Sequence, residues 1–186
     1  MASESNAPPL EKTADLLDED RYWSIIHRAQ EATEDLEEME EHLIGEVEKL
    51  TPKEMVGFYL RTSDLEQKAY TSELWCAAYI INGGASDDGF EYFRCWLISA
   101  GKDVYYKAIE HPDSLADLVE EGNDYEFESL TYVPITSFEN KTGQDLYDYV
   151  ETISYTVKEM EFTWEEENLE SQKKICPKLY AKFRGE

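Results

Sequence analysis

LWCAAYIINGGASDDGFEYFRCWLI, residues 74–98, is the stretch on which the fold turns. It begins with an unbroken apolar run from Leu74 to Ile81, which by periodicity alone fits a buried strand as well as a buried helix. Its composition selects helix. Ala77 and Ala78 have high helix propensity, and Gly83-Gly84 stand where a left-handed C-cap would close the last turn. The chain then restarts: Asp88, followed three positions later by Glu91, reads as a capping box. Phe90, Phe93, Trp96, Leu97 and Ile98 surround the next helix with apolar groups, which is the mark of a helix packed on several sides. Arg94 lies inside that surround. An unpaired buried charge costs several kcal/mol, so Arg94 needs a carboxylate, and Asp87, Asp88 and Glu91 are the near candidates.

Upstream, Thr51-Pro52-Lys53-Glu54 is the cleanest local signal: a Thr N-cap, Pro in the first turn and Glu three residues after the cap. The helix it starts carries Phe58, Thr62, Leu65 and Ala69 inward and either runs on or breaks near Thr71-Ser72. Before it, Leu36, Met39, Leu43, Val47 and Leu50 recur at steps of three or four and form one apolar stripe. The other face of that segment is acidic, with Glu34, Asp35, Glu37, Glu38, Glu40 and Glu41 and no cation until Lys49. Like charges at this spacing weaken a helix by a few tenths of a kcal/mol per pair. That face reads either as a solvated surface or as a docking surface for a basic partner. Further upstream, Asp18 or Asp20 caps a helix with Tyr22, Trp23, Ile25, Ile26 and Ala29 on its inner side. Residues 1–17, polar and containing Pro and Ser, are expected to be a flexible segment.

Downstream, Asp103–Glu110 spaces Val104, Tyr105, Ala108 and Ile109 as a helix, and His111-Pro112-Asp113-Ser114-Leu115 turns into a short helix ending at Gly122. Around 124–136, Tyr, Phe, Thr and Val interleave with acids, and Pro134 forbids a central strand or a long helix, so this region is expected to be irregular, with room for a short hairpin or edge strand. Gln144–Phe162 resumes helical spacing through Leu146, Tyr149, Val150, Ile153 and Val157. The tail, with Leu169, Ile175, Leu179, Tyr180 and Phe183, fastens to the body. Its Lys173, Lys174, Lys178, Lys182 and Arg184 form the basic segment, expected to pair with the acidic helix. The predicted fold class is therefore mainly α: a single-domain, multi-helix orthogonal bundle over residues 18–186.

The chain of 186 residues has a net charge of −25, which excludes a protein that tracks nucleic-acid phosphates with Lys and Arg and disfavours an anionic membrane. The N-terminal stretch has no basic start followed by an apolar run, and no segment approaches the roughly 20 apolar residues of a membrane span. A soluble, cytoplasmic protein is expected. Cys76 and Cys95 sit in apolar contexts that suit reduced, buried thiols. Cys176 reads as a half-exposed structural cysteine, or as a thiol activated by Lys173, Lys174 and Lys178. His27, His42 and His111 are scattered without zinc-ligand spacing, so no metal and no cofactor is expected.

The block 74–98 resembles the signature of an uncharacterised, mainly bacterial family, the domain of unknown function numbered 4240, sometimes found in molybdenum-metabolism-regulator-like proteins. Trp23-Ser24-Ile25-Ile26, Gly101-Lys102-Asp103-Val104-Tyr105, Pro112-Asp113-Ser114-Leu115 and Pro177-Lys178-Leu179 also match it, so the resemblance spans about residues 18–183. It implies a mostly helical fold and supplies no activity.

An enzyme needs an activated nucleophile, a phosphate cradle or an acid-base pair. The sequence has no nucleophile elbow, and Gly83-Gly84 lacks a downstream Lys-Ser/Thr. Asp87, Asp88, Glu91 and Arg94 are the one catalytic-looking set, and cap chemistry with a buried ion pair accounts for them equally well. The expected function is thus non-enzymatic: an acidic protein-interaction module, an inhibitor or immunity protein that caps a basic partner such as a toxin. A regulatory or scaffold protein is the first alternative, and an enzyme or metal-binding protein using that set is the second.

Overall fold

Helix starts are fixed by side-chain caps wherever the sequence offers them. In the computed structural model, which describes residues 10–151 and 159–185, Asp18 accepts from Arg21 N to open α1 (Glu19–Ala32), and Asp35 accepts from Glu37 N and Glu38 N to open α2 (Leu36–Val47). Thr51 and Glu54 close a reciprocal capping box on α3 (Pro52–Lys68), and Thr71 caps α4 (Ser72–Ile81). Gly83, at φ +72°, and the Gly84 N–H donating to Tyr79 O at 3.0 Å terminate α4 in the expected left-handed motif. α5 (Asp87–Ser99) and α6 (Lys102–Glu110) follow. A 3-10 turn at Pro112–Asp117 and another at Glu128–Thr131 lead to α7 (Val133–Thr142), a third at Leu146–Tyr149 follows, and α8 (Leu169–Ile175) and α9 (Pro177–Arg184) end the chain.

The result is a mainly α, multi-helix bundle. Among the described residues no strand forms, and Thr13 with Val150 makes one isolated parallel bridge. α1 packs on α2, α2 and α3 both pack on α7, and α4 is flanked by α5, α8 and α9. One hydrophobic core joins them. The 74–98 stretch stands at its centre as read: Leu74, Cys76, Ala77, Ala78, Phe90, Phe93, Cys95, Leu97 and Ile98 are fully buried, and Trp75 stacks on Phe90 with ring centroids 4.6 Å apart. No helix of the described residues is long and apolar enough to cross a membrane.

Several expectations are corrected. The N-cap of α5 is Ser86, accepting from Gly89 N at 3.2 Å, which leaves Asp87 and Asp88 in the first turn beside the positive helix end. Residues 1–9 of the supposed flexible segment lie outside the described residues, but 10–17 are anchored. Thr13 bonds main chain to main chain with Tyr149 and Glu151, Leu17 N donates to Gly57 O at 2.9 Å, and Leu17 is buried. The hairpin or edge strand near 124–136 is absent. Pro134 opens α7 instead of blocking it, because a helix's first turn needs no donor from proline, and Gly143 caps the far end in the left-handed conformation. The helix read over 144–162 is only a 3-10 turn at Leu146–Tyr149, since Val150 is drawn into the bridge with Thr13; its 152–158 portion lies outside the described residues. The basic tail does not pair with the acidic helix: Lys182 meets Glu120, Lys173 meets Glu170, and the Lys178 and Leu179 amides donate to Asp113. Cys176 is fully buried, not half-exposed. The Cys76 thiol beside it, together with burial, pushes its own thiol up, the reverse of activation.

Candidate functional site

α3 presents Tyr59, Thr62, Ser63 and Glu66 along one side, at the i, i+3, i+4, i+7 spacing that places side chains over successive turns. Facing them are Glu91 from α5, Thr131 and Tyr132 from the turn before α7, Pro134 and Ile135 from the start of α7, and Tyr147 from the last 3-10 turn. Together they enclose a cleft of about 270 Å³. Local chemistry sets each wall: Asp145 accepts from Tyr147 N at 2.9 Å and orients the Leu146–Tyr149 turn, and Pro134 fixes the chain direction that brings Tyr132 to the mouth. Tyr147 meets Tyr59 edge to face, with ring centroids 5.6 Å apart. The Tyr132 hydroxyl donates to Glu128 Oε1 at 3.2 Å. Tyr132 and Tyr147 remain 51% and 53% exposed.

Glu66 is the chemically loaded group of this cleft. Among the described residues the Cys95 thiol is the one donor that reaches its carboxylate, with Sγ 3.2 Å from Oε1. Burial pushes the Glu66 carboxyl up from its ordinary value; the Cys95 thiol and the Arg94 charge act against that, and the charge of Glu91 adds to it. Burial, and then Glu66 itself, push the Cys95 thiol well up, so Cys95 stays protonated and donates.

Arg94 is buried as expected but does not pair with Asp87, Asp88 or Glu91. Its Nη1 donates to the Glu66 carbonyl at 2.8 Å and its Nε to Phe90 O at 3.2 Å, with the guanidinium 5.0 Å from the Tyr70 ring centre and 4.9 Å from that of Phe90. The Glu66 carbonyl belongs to the last turn of α3, where carbonyls lack helical partners and the helix dipole is negative. Arg94 therefore caps α3, alongside Tyr105, whose hydroxyl donates to Leu65 O.

The sequence-predicted quartet is thus dispersed. Asp87 and Asp88 are exposed on the first turn of α5, Glu91 is exposed on the rim of the cleft, and Arg94 lies behind it. No group of three or more His, Cys, Asp or Glu side chains among the described residues is arranged to hold a metal ion. Glu34 and Asp35, just before α2, and Glu37, Glu38 and Glu41 on it are exposed, and Glu40 is half-buried. Asp35 is occupied in capping and Glu38 accepts from Thr33 Oγ1 at 2.7 Å. The ion pairs among the described residues engage none of the six; on α2 only Glu46 is paired, with Arg28 and Lys49. Sequence reasoning missed Tyr59, Glu66, Cys95, Tyr132 and Tyr147 as a group. The signal available was the spacing of Tyr59, Ser63 and Glu66 on a helix whose inner face was already assigned.

A family model described as a protein of unknown function, DUF4240, matches residues 17–140. No curated protein and no solved structure matches the chain.

Proposed function

The chain belongs to the DUF4240 family, whose description carries no activity, and from that premise we propose that it is an acidic protein-interaction module, an inhibitor or immunity protein capping a basic partner such as a toxin. The observation that supports this is the acidic face of α2, which the rest of the described chain leaves without an ion pair. Glu37 and Glu41 stand at i, i+4, and Glu37 with Glu40 and Glu38 with Glu41 at i, i+3. Each such pair costs the helix a few tenths of a kcal/mol. A basic surface laid across them would turn that repulsion into attraction and speed encounter through steering. Three buried free cysteines suit a reducing, cytoplasmic compartment. The regulatory or scaffold alternative would use the same face on a partner that is not a toxin.

The test is affinity purification from the native host with the wild-type chain and with Glu34→Lys/Glu37→Lys/Glu41→Lys, at low and high salt. The expected result is a basic polypeptide that the wild type retains at low salt, releases as salt screens the charges, and that the variant never retains. A partner held equally by both chains at both salt concentrations would sink the proposal.

A further inference from the structure

The cleft between α3, α5 and α7 has the chemistry of a cation receptor. Its walls carry three tyrosine rings, Tyr59, Tyr132 and Tyr147, and two carboxylates, Glu66 and Glu91, and no Lys, Arg or His among the described residues lines it. An ionised carboxylate has about four acceptor positions, and Glu66 receives one weak S–H donor from the described residues. Among the described residues no other donor reaches the remaining positions, and the carboxylate is half-buried at the cleft. Arg94 does not fill them, because its guanidinium is spent on main-chain carbonyls from the core side. Aromatic faces attract cations through the ring quadrupole, and the half-exposed Tyr132 and Tyr147 flank the entrance where a cation would arrive. The volume of about 270 Å³ falls below the roughly 300–1,000 Å³ of sites that take drug-sized ligands, so it suits one long side chain and not a cofactor.

We propose that this cleft receives an arginine side chain of a protein partner, its guanidinium set against the Glu66 carboxylate and between the tyrosine rings. Guanidinium is chosen over ammonium because it is planar, stacks on aromatic faces and offers a fork of donors that matches a carboxylate with open acceptor positions. Charge complementarity names the occupant: the cleft is lined by acids, Glu128 adds another through Tyr132, and the whole chain carries −25. The site is separate from the α2 face, and either reading stands without the other.

The test titrates the full chain with blocked arginine (Nα-acetyl-arginine methylamide) and with its neutral isostere, blocked citrulline, followed by NMR of the tyrosine rings and of the Glu66 amide. The expected result is saturable binding of arginine in the millimolar range, with citrulline weaker by about tenfold or more. Tyr147→Ala and Tyr132→Ala should each weaken arginine by about threefold to tenfold, Glu66→Gln by at least about tenfold, and Glu110→Gln, exposed on α6, should leave it unchanged. Both tyrosines are half-exposed, so their variants keep the test alive if Glu66→Gln fails to fold. Equal binding of citrulline, unchanged binding by both tyrosine variants, or no saturable shift with arginine would each overturn the proposal. Tighter binding of tetramethylammonium than of arginine would instead mark a site for a free quaternary amine and overturn the arginine assignment.

Discussion

Gly45 and Gly57 both lie inside helices, α2 and α3, and the same replacement by alanine should move stability in opposite directions. A Cβ at Gly45 would meet nothing within 4 Å. Gly45→Ala therefore gains only the relief of backbone entropy, about 1 kcal/mol, which in a chain of this size raises the melting temperature by about 2–4 °C. At Gly57 the same atom would lie 2.9 Å from Leu17 N and 3.1 Å from Asp15 O. Both neighbours are backbone, so nothing yields unless the 13–17 segment lifts. Lifting it breaks the Leu17 N to Gly57 O hydrogen bond, about 1 kcal/mol, and exposes Leu17, about 1.5–3 kcal/mol; staying put means overpacking, about 1–3 kcal/mol. Less the same propensity gain of about 1 kcal/mol, Gly57→Ala should destabilise by about 1.5–3 kcal/mol if the segment lifts and by up to about 2 kcal/mol if it stays. Urea unfolding of the wild type and both variants measures this, repeated in a chain lacking residues 1–17. There the obstruction is gone, and Gly57→Ala should become stabilising, like Gly45→Ala. If Gly57→Ala stabilises the full chain, or harms the truncated chain as much, the seat of the N-terminal segment on α3 is wrong.

Arg94→Met should destabilise by about 3 kcal/mol in urea unfolding, since it removes two hydrogen bonds from a buried cation and the positive charge that offsets Glu66. Glu66 holds its proton more tightly when folded than when unfolded, so its contribution is fully present below the ordinary value of 4.5 and is lost as pH rises through the higher folded value; the urea midpoint of Glu66→Gln relative to wild type should rise across that window and then level off. Thr51→Ala removes the hydroxyl half of the α3 capping box, leaving the residue 51 main-chain N–H on Glu54, and should cost about 1 kcal/mol, seen as a lower melting temperature. All three cysteines are free and buried, so a thiol reagent should label none in the native protein and three in denaturant, and rapid native labelling at Cys176 would contradict its packing against Cys76.

What was legible in the sequence was local. The Thr51–Glu54 box, the Gly83-Gly84 stop and the apolar runs on either side of it each state their structure within a few residues. What was misread needed distant partners. Ser86 and Gly89 satisfy the cap spacing as well as Asp88 and Glu91 do, and only the point at which the backbone leaves the helix separates them. Arg94 was assigned a carboxylate on charge alone, whereas the negative end of α3, 28 residues upstream, supplied the Glu66 carbonyl, α5 itself the carbonyl and ring of Phe90, and Tyr70 a second aromatic face. Asp113 reads as part of a turn, yet its carboxylate accepts from the amides of Lys178 and Leu179 and so caps α9 from 65 and 66 residues away. That contact, with Lys182 at Glu120 and Ala116 O, draws the tail to the 112–120 region instead of α2.

The cleft was invisible for a stronger reason: its members come from α3, α5, α7 and two 3-10 turns, and apart from the turn that runs straight into α7 no two walls are joined by a local signal. Glu66 is the residue that marks it. A half-buried glutamate whose donor among the described residues is a thiol is a poor choice for stability alone, because an apolar side chain at the same place would avoid the partial desolvation. The repelling glutamates of α2 are a poor choice of the same kind. A chain with 42 acids and 17 bases can scatter its charge over an exposed surface at little expense, so acids held where they weaken the fold are better explained by what they meet from outside. On α2 that would be a basic surface, and in the cleft a single guanidinium.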